Sequence, residues 1–182
     1  MEEKIILIDN DDNPIGAEEK LKVHQLGLLH RAFSIFIFDS NGRLMLQRRA
    51  LHKYHSAGLW TNTCCSHPRW GEATDDAATR RLREEMGFIT NLLRVDSILY
   101  HAKVPGGLIE HEFDHIYIGL FDGSPKLNPD EADTWKWISI SELFHEESTN
   151  PDQFTAWLTI IVRKIGKDKM EQWSRLAHSM KA

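Results

Sequence analysis

A hairpin pattern in the first third of the chain places the strongest constraint on the fold. Apolar residues are dense from Ala32 to Asp39, and a second such segment runs from Leu44 to Gln47. Between them, the segment Ser40-Asn41-Gly42-Arg43 supplies the Asn-Gly pair that tight hairpin turns favour. The pattern predicts a β-hairpin, so the fold must contain a sheet.

Further strand patterns follow along the chain, without repeats or a linker-like segment. At 182 residues, the chain is long enough to bury one sizeable core and a little short for two. A single domain over residues 1–182 is therefore expected. The additional strands are predicted at Lys4 to Asp9, Leu59 to Cys65, Leu92 to Ala102, Leu108 to Phe121 and Thr134 to Ile138.

Two regions have the pattern of helices. One helix is expected over residues 75–86, because Thr74 can cap its start and Gly87 falls where a left-handed end residue belongs. The pair Asn150-Pro151 predicts the start of a C-terminal helix that reaches Lys164, with a second helical stretch after it. Strands and helices together predict an α+β fold, a mixed sheet with helices on its faces.

Composition excludes several classes of protein. The formal net charge of −5 gives no reason to expect nucleic acid as a partner. No apolar run approaches the roughly 18 residues of a membrane span, and the start Met1-Glu2-Glu3-Lys4 lacks a signal-peptide pattern. The neighbouring cysteines, Cys64 and Cys65, suit free thiols in a reducing compartment. We therefore expect a cytoplasmic protein without a membrane partner.

The charges around the predicted helix resemble the Nudix box, a loop-helix signature in which glutamates hold magnesium against a diphosphate. Counting back from Glu84-Glu85-Met86-Gly87, the box arginine falls on Arg80 and its upstream glutamate on Glu72. Ser66 replaces the leading glycine, and Arg81 replaces the first helical glutamate. A cation in place of a metal-binding carboxylate disfavours hydrolysis, which uses such carboxylates to place metals and water. The change favours holding a diphosphate without cleaving it.

Basic residues are candidates to bind the phosphoryl oxygens of such a ligand, because Arg offers paired donors and Lys a point charge. Magnesium keeps few protein ligands, so Glu85 alone would anchor an Mg²⁺ ion at the diphosphate. The alternative is an ordinary solvated pair between Arg81 and Glu85, worth about 0.3 to 0.5 kcal/mol. The candidate phosphate-binding residues are Lys20, Arg49, Lys53 and Arg81.

Histidine, cysteine and glutamate residues form a second constellation among the ten histidines of the chain. Strand residues alternate between faces, so Cys65 points with His67, and Glu110 with Glu112. Each histidine alone is more simply a surface or hydrogen-bonded core residue, and each cysteine a small buried side chain. The joint arrangement favours a functional site.

The string Trp60-Thr61-Asn62-Thr63-Cys64-Cys65-Ser66-His67-Pro68, with Glu110-His111-Glu112 and the altered helix, resembles the type I isopentenyl-diphosphate isomerases. Matching landmarks run from about His24 to Trp157. The resemblance implies a Nudix-like α/β/α sandwich with a mixed central sheet. It also implies a thiol catalyst at Cys65 and a divalent metal held by three histidines and two glutamates. The ligands would be His24, His30, His67, Glu110 and Glu112.

The ligand types leave zinc, iron or manganese open and disfavour a magnesium-only site. The resemblance points to Mn²⁺ in this cluster, with Zn²⁺ as the alternative, and to Mg²⁺ with the diphosphate. The partner would be an isoprenoid diphosphate, and the assembly a monomer or a weak homodimer.

The implied reaction converts isopentenyl diphosphate to dimethylallyl diphosphate by adding one proton and removing another. Glu112 is the expected acid, oriented by Tyr100, and Cys65 is the expected base as a thiolate. Trp157 would stabilise a cationic intermediate by cation–π attraction, although its spacing alone predicts a core residue. Two alternatives remain at this point: a Nudix pyrophosphohydrolase and a non-catalytic diphosphate- or metal-binding module.

Overall fold

A computed structural model describes residues 3–180. Four residues lie outside the described ones. They are Met1 and Glu2, at the start of the chain where the sequence shows no signal-peptide pattern, and Lys181 and Ala182, at the end of the predicted domain. Within residues 3–180 the strands form one mixed sheet. They are β1 (Lys4–Ile8), β2 (Pro14–Glu19), β3 (His30–Phe38), β4 (Leu44–Arg49), β5 (Trp60–Thr61), β6 (Cys64–Ser66), β7 (Leu93–Val104), β8 (Leu108–Leu120) and β9 (Ala132–Ile138).

The sheet is built around β3. This strand pairs antiparallel with β1 and β6 and parallel with β8, whose other edge carries β7. The predicted turn into β4 is confirmed, with Gly42 at a φ of 78°. Among the described residues, however, β3 and β4 pair at one position, where Phe38 lies opposite Leu44. Beyond that pair the strands diverge, and β4 pairs with β5 and β9 instead.

A single predicted strand over Leu59–Cys65 is wrong, because the chain breaks at Asn62-Thr63 into β5 and β6. The Thr63 hydroxyl donates to the carbonyl of Met45 (2.6 Å) and accepts the Ile37 N–H (2.9 Å). It therefore bridges the diverging strands β4 and β3 through its side chain. The break allows β5 to pair with β4 while β6 pairs with β3.

Helices cover both faces of the sheet, which confirms the predicted α/β/α sandwich. One face packs against α2 (Thr74–Met86) through a cluster that includes Phe33 and Leu82. The other face packs against α4 (Ala156–Ile165) and α5 (Lys167–Ser179) around Phe36 and Trp173. No helix within residues 3–180 is long and apolar enough to cross a membrane. The helices are α1 (Lys20–Leu26), α2 (Thr74–Met86), α3 (Ile140–Thr149), α4 (Ala156–Ile165) and α5 (Lys167–Ser179), with a 3-10 turn over Pro151–Gln153.

The predicted end of α2 is confirmed, whereas two predicted helix starts are wrong. Gly87 ends α2 in the left-handed conformation, with a φ of 73°. Thr74 already lies inside α2, and Ala73 holds the cap position without a side-chain hydrogen bond. Pro151 opens the 3-10 turn rather than the long helix, because α4 begins after Thr155, whose hydroxyl caps it.

Candidate active site

One cleft is lined by most of the candidate site residues predicted from the sequence. Its walls come from α1, the end of β4 and the loop after it, β6, α2, β8 and α4. His30 is fully buried and lies against the cleft, with its ring centroid 5.0 Å from that of His67. The residues that line the cleft are Lys20, His24, Phe33, Gln47, Arg49, Lys53, Tyr54, His55, Cys65, Ser66, His67, Arg81, Glu85, Tyr100, Glu110, Glu112, Glu131 and Trp157.

The candidate metal ligands converge at one end of the cleft. All are buried, and one ligand atom from each lies within 4.8 Å of the others. The parallel pairing of β3 with β8 sets His30 directly beside Glu112. The members are His24, His30, His67, Glu110 and Glu112.

Backbone carbonyls orient two of the imidazoles. His24 Nδ1 lies 2.6 Å from the carbonyl oxygen of Lys20, one turn earlier in α1, and His30 Nδ1 lies 2.8 Å from that of Leu28. In the tautomer with the proton on Nδ1, each ring donates a hydrogen bond to its carbonyl. The lone pair on each Nε2 is then free to bind a cation. Outer hydrogen bonds of this type are characteristic of histidines that ligate metals.

Unsatisfied atoms in the cluster fit a divalent cation. His30 Nε2 and Glu110 Oε2 are buried without a hydrogen-bond partner among the described residues. His24 Nε2 lies 3.1 Å from Glu110 Oε2, and His30 Nε2 lies 3.4 Å from Glu112 Oε1. Buried polar atoms without partners are costly, and a cation shared by imidazole and carboxylate groups would satisfy them together.

Burial and neighbouring charges shift the pKa values of two histidines in the cluster in opposite directions. Burial, and then the positive charge of Lys20, lower the pKa of His67 well below its usual value. Burial lowers the pKa of His24 as well, but Glu110, the Lys20 carbonyl and Glu112 together outweigh burial, so the pKa of His24 is raised. Imidazole binds metal in its neutral form. The lowered pKa of His67 favours this neutral form.

The candidate acid is held by a short hydrogen bond. Tyr100 Oη donates to Glu112 Oε2 at 2.5 Å, while Glu112 Oε1 lies 2.9 Å from His67 Nε2. Burial raises the pKa of Glu112, but His30, Tyr100 and Glu110 together lower it by more. Burial also raises the pKa of Tyr100, which keeps this hydroxyl a donor. The two oxygens of Glu112 thus face the tyrosine and the histidines respectively.

The candidate base, Cys65, lies on the same face of the sheet as Glu112, the candidate acid. Cys65 is partly buried and lies opposite Ser34 in the pairing of β6 with β3. Burial raises the pKa of the Cys65 thiol, and the Arg49 guanidinium offsets only part of that effect. Without a ligand, the thiol form is favoured over the thiolate.

Trp157 is both a core residue and a wall of the cleft. Its Nε1 donates to Thr61 Oγ1 at 2.8 Å, which fixes the plane of the ring. The Arg49 guanidinium carbon lies 5.1 Å from the ring centroid. A cation therefore already lies against this aromatic face, within the distance of a cation–π contact.

The candidate phosphate-binding residues line the same cleft. Arg81 and Glu85 form the predicted pair, with Nη2 2.6 Å from Oε1, but both side chains are largely buried rather than solvated. Glu85 Oε2 also accepts from Gln47 Nε2 at 2.9 Å. Arg49 Nε and Arg81 Nε are buried without hydrogen-bond partners among the described residues. These donors are available to an anion.

Glu131 and His55 are among the titratable cleft residues that sequence reasoning missed. Glu131, just before β9, contacts Lys53 and Arg81. His55 Nε2 lies 3.7 Å from Glu110 Oε1, and burial followed by the nearby Arg49 charge lowers the pKa of His55 to about 4. Both lie in irregular segments, where no periodic pattern indicates which way a side chain points.

Comparison with known proteins agrees with this arrangement. The model of the NUDIX domain family matches residues 28–158. A protein of Serratia proteamaculans (strain 568), named isopentenyl-diphosphate Delta-isomerase, is 62% identical over 179 residues, covering 98% of this chain and 100% of the relative. The chain belongs to the isopentenyl-diphosphate Delta-isomerase branch of the Nudix family. The resemblance inferred from the sequence is thereby confirmed.

Other isopentenyl-diphosphate isomerases and solved Nudix structures extend the comparison. Isopentenyl-diphosphate Delta-isomerase 2 of Photorhabdus laumondii is 51% identical, covering 97% of this chain and 99% of the relative. The crystal structure of DR0079 from Deinococcus radiodurans has a TM-score of 0.75 at 19% identity, covering 89% of this chain and 98% of that one. The MutT protein from Methanosarcina mazei has a TM-score of 0.61 at 16% identity, covering 85% and 96%. These structures support the fold alone.

In this chain, part of the Nudix-like helix has a structural use. Arg80 Nε lies 2.6 Å from Glu72 Oε1, and its Nη2 donates to Glu72 Oε2 at 2.8 Å. The pair ties the loop before α2 to the helix, and neither residue lines the cleft. Arg81, which stands where the box has a glutamate, is the residue that faces the cleft.

Proposed function

We propose that this protein converts isopentenyl diphosphate to dimethylallyl diphosphate by protonating the substrate at carbon four and removing a proton from carbon two. The observation that carries the proposal is the shared cleft of Glu112, hydrogen-bonded to Tyr100, and Cys65. The names of the relatives support the same activity.

The diphosphate would bind at the basic end of the cleft. Arg81 and Arg49 supply buried guanidinium donors, and Lys20 and Lys53 add positive charge nearby. Glu85 would hold Mg²⁺ against the phosphates, since this ion takes most of its ligands from phosphate and water. Anchoring the diphosphate directs the alkene toward Glu112 and Cys65.

Proton addition by Glu112 to carbon four would break the terminal double bond and leave a tertiary carbocation at carbon three. Cys65, as thiolate, would then take a proton from carbon two, and the electrons of that C–H bond form the new double bond. The Tyr100 hydroxyl holds the Glu112 carboxyl in position. General acid and base groups of this kind contribute about 10²- to 10⁴-fold each.

Trp157 and the buried setting would protect the cation between the two transfers. The indole ring is held by Thr61, and its face attracts positive charge. Water would trap a tertiary cation, so the buried walls of the cleft limit that side reaction.

We further propose Mn²⁺, with Zn²⁺ as the alternative, for the cluster of His24, His30, His67, Glu110 and Glu112. Metal bound there supplies polarisation of the Glu112 carboxyl group, which increases its acidity. The free thiols Cys64 and Cys65 support a reducing compartment, the cytoplasm. A monomer or weak homodimer remains our expectation for the assembly.

The test supplies isopentenyl diphosphate in deuterated water with Mn²⁺ and Mg²⁺ and follows the products by NMR. We expect dimethylallyl diphosphate that carries deuterium at carbon four, and deuterium at carbon two of recovered substrate. Released phosphate without allylic product would instead indicate a hydrolase. Unchanged, unlabelled substrate would reject the proposed function.

A further inference from the structure

Glu131 lines the cleft and has no part in the proposed reaction. Its carboxylate, on a side chain about one fifth exposed, spans two of the proposed phosphate-binding cations. One oxygen contacts Lys53 Nζ, and the other lies 2.9 Å from Arg81 Nη2. The protein therefore carries its own anion between two groups assigned to the diphosphate.

Both Nη2 donors of Arg81 are already shared between carboxylates, whereas its Nε has no hydrogen-bond partner among the described residues. Nη1 lies 2.9 Å from Glu84 Oε2, and Nη2 lies within hydrogen-bond distance of both Glu85 and Glu131. An Nη2 group has two hydrogens, so these two acceptors use both of them. A phosphoryl oxygen can reach Nη2 only when one carboxylate moves away.

Glu131 is the carboxylate that can move at low cost. Glu85 is 4% exposed, lies within α2 and is held a second time by Gln47. Glu131 lies in the connection before β9, and its backbone is fixed independently: its N–H donates to Asn128 O, and its carbonyl accepts from Ala50 N–H, both at 3.0 Å. The side chain can therefore change rotamer while the loop stays in place.

We propose that Glu131 is a displaceable counter-anion that neutralises Lys53 and Arg81 until a diphosphate takes its place. This inference rests on the proposed function, because it assigns the diphosphate to the same basic residues. Substrate and product carry the same diphosphate, so a site with these cations permanently exposed would hold the product tightly. Competition from Glu131 weakens both complexes and speeds product release.

The test measures the affinity for magnesium pyrophosphate by titration calorimetry in the Mn²⁺-loaded protein. Glu131→Gln keeps the size of the side chain and removes its charge, and we expect its dissociation constant to fall by roughly fivefold, the scale of one partly exposed ion pair. KM for isopentenyl diphosphate should fall as well, without a rise in kcat. An unchanged or weaker affinity in Glu131→Gln would overturn the proposal, because Glu131 would then organise the cations instead of competing for them.

Glu84→Gln is the matched control, because Glu84 contacts the same arginine but does not line the cleft. Its pyrophosphate affinity should stay within about twofold of wild type. Glu131→Ala is a second variant in case the Glu131→Gln protein misfolds. It should also bind magnesium pyrophosphate more tightly than wild type. If the wild-type protein binds no pyrophosphate, the proposed function fails; if it binds but neither Glu131 variant gains affinity, only the counter-anion is wrong.

Discussion

At the scale of single residues, Cys65 and Glu112 share a protonation problem. Burial raises the pKa of the Cys65 thiol, whereas the combined effect of His30, Tyr100 and Glu110 outweighs burial and holds the pKa of Glu112 below its usual value. Between them the two groups need one proton, and without a ligand the surroundings favour it on sulfur. The proposed reaction needs the same proton on the carboxyl group. Ligands that occupy the cleft must therefore shift this balance.

The neighbouring cysteines provide a direct test of the base. Cys65→Ala removes the thiol that lines the cleft and should lower kcat by about 10²- to 10⁴-fold, the usual contribution of a positioned base. Cys64→Ala removes a thiol buried on the α2 face of the sheet, and it should retain most of the turnover. The measurement is the rate of allylic product formation by NMR. Equal activity in both variants would contradict the role of Cys65.

A second residue test separates the acid from the metal ligands. Glu112 and Glu110 both belong to the cluster, but Tyr100 donates a hydrogen bond to Glu112. At saturating Mn²⁺, Glu112→Gln should lose about 10²- to 10⁴-fold in kcat, because an amide cannot supply the proton. Glu110→Gln should recover more turnover as the metal concentration rises. If both variants recover alike, Glu112 acts as a ligand and not as the acid.

Residues on regular strands were the predictable part of the site. Alternation on a strand grouped Cys65 with His67 and Glu110 with Glu112, and all four line the cleft, although Ser66, expected on the opposite face, lines it too. Glu131 and His55 were missed because irregular backbone has no period that fixes side-chain direction. Their positions depend on tertiary contacts, such as the bond from Ala50 N–H to the carbonyl of Glu131.

At the scale of elements, the end of α2 supports the floor of the cleft. Gly87 has a φ of 73°, and a Cβ atom there would lie 2.4 Å from the carbonyl oxygen of Lys126. Past this contact, Asn128 N–H donates to the carbonyl of Glu85 at 2.9 Å. The helix end thus fixes the segment that leads to Glu131.

Gly87→Ala should destabilise the protein through both strain and overlap. The left-handed conformation costs an alanine roughly 1 to 2 kcal/mol, and displacement of the Lys126 backbone adds to that cost. Gly71 has a φ of 80° but nothing within 4 Å of its would-be Cβ, so Gly71→Ala should show the conformational cost alone. Urea unfolding measures both. Equal losses in the two variants would mean that the close approach to Lys126 adds no cost.

Elements with strong local signals were predictable, and elements that depend on partners were not. α2 was recognised because Gly87 ends it and its length is regular. The break at Asn62-Thr63 was invisible, since Thr63 bonds to strands that lie elsewhere in the sequence. α3 was missed although Ser139 and Glu142 form a capping box at its start, a signal that the sequence does contain.

At the scale of the whole molecule, we expect the buried cluster to make the stability of the protein depend on metal. Buried imidazole and carboxylate atoms without partners lower the stability of the metal-free protein. Mn²⁺ at about 100 times its dissociation constant should add about 2.7 kcal/mol. For a chain of this length, that corresponds to a rise in Tm of roughly 5 to 10 °C. Mg²⁺ should add less, because imidazole suits it poorly.

Thermal unfolding before and after treatment with a chelator measures this effect. His24→Gln removes a proposed ligand and should abolish most of the rise in Tm, whereas His101→Gln changes an exposed histidine on β7 and should leave it intact. An equal rise with Mn²⁺ in both variants would show that the ion binds elsewhere.

The parallel pairing of β3 with β8 also has a kinetic consequence. His30 and Glu112 are neighbours across that pairing although they are far apart in sequence. Ordering so long an intervening segment is entropically expensive before any contact rewards it, so pairings of this type form slowly. A chain still emerging from the ribosome has no complete metal site until β8 has been made. Binding of the ion would therefore report that β3 and β8 have paired.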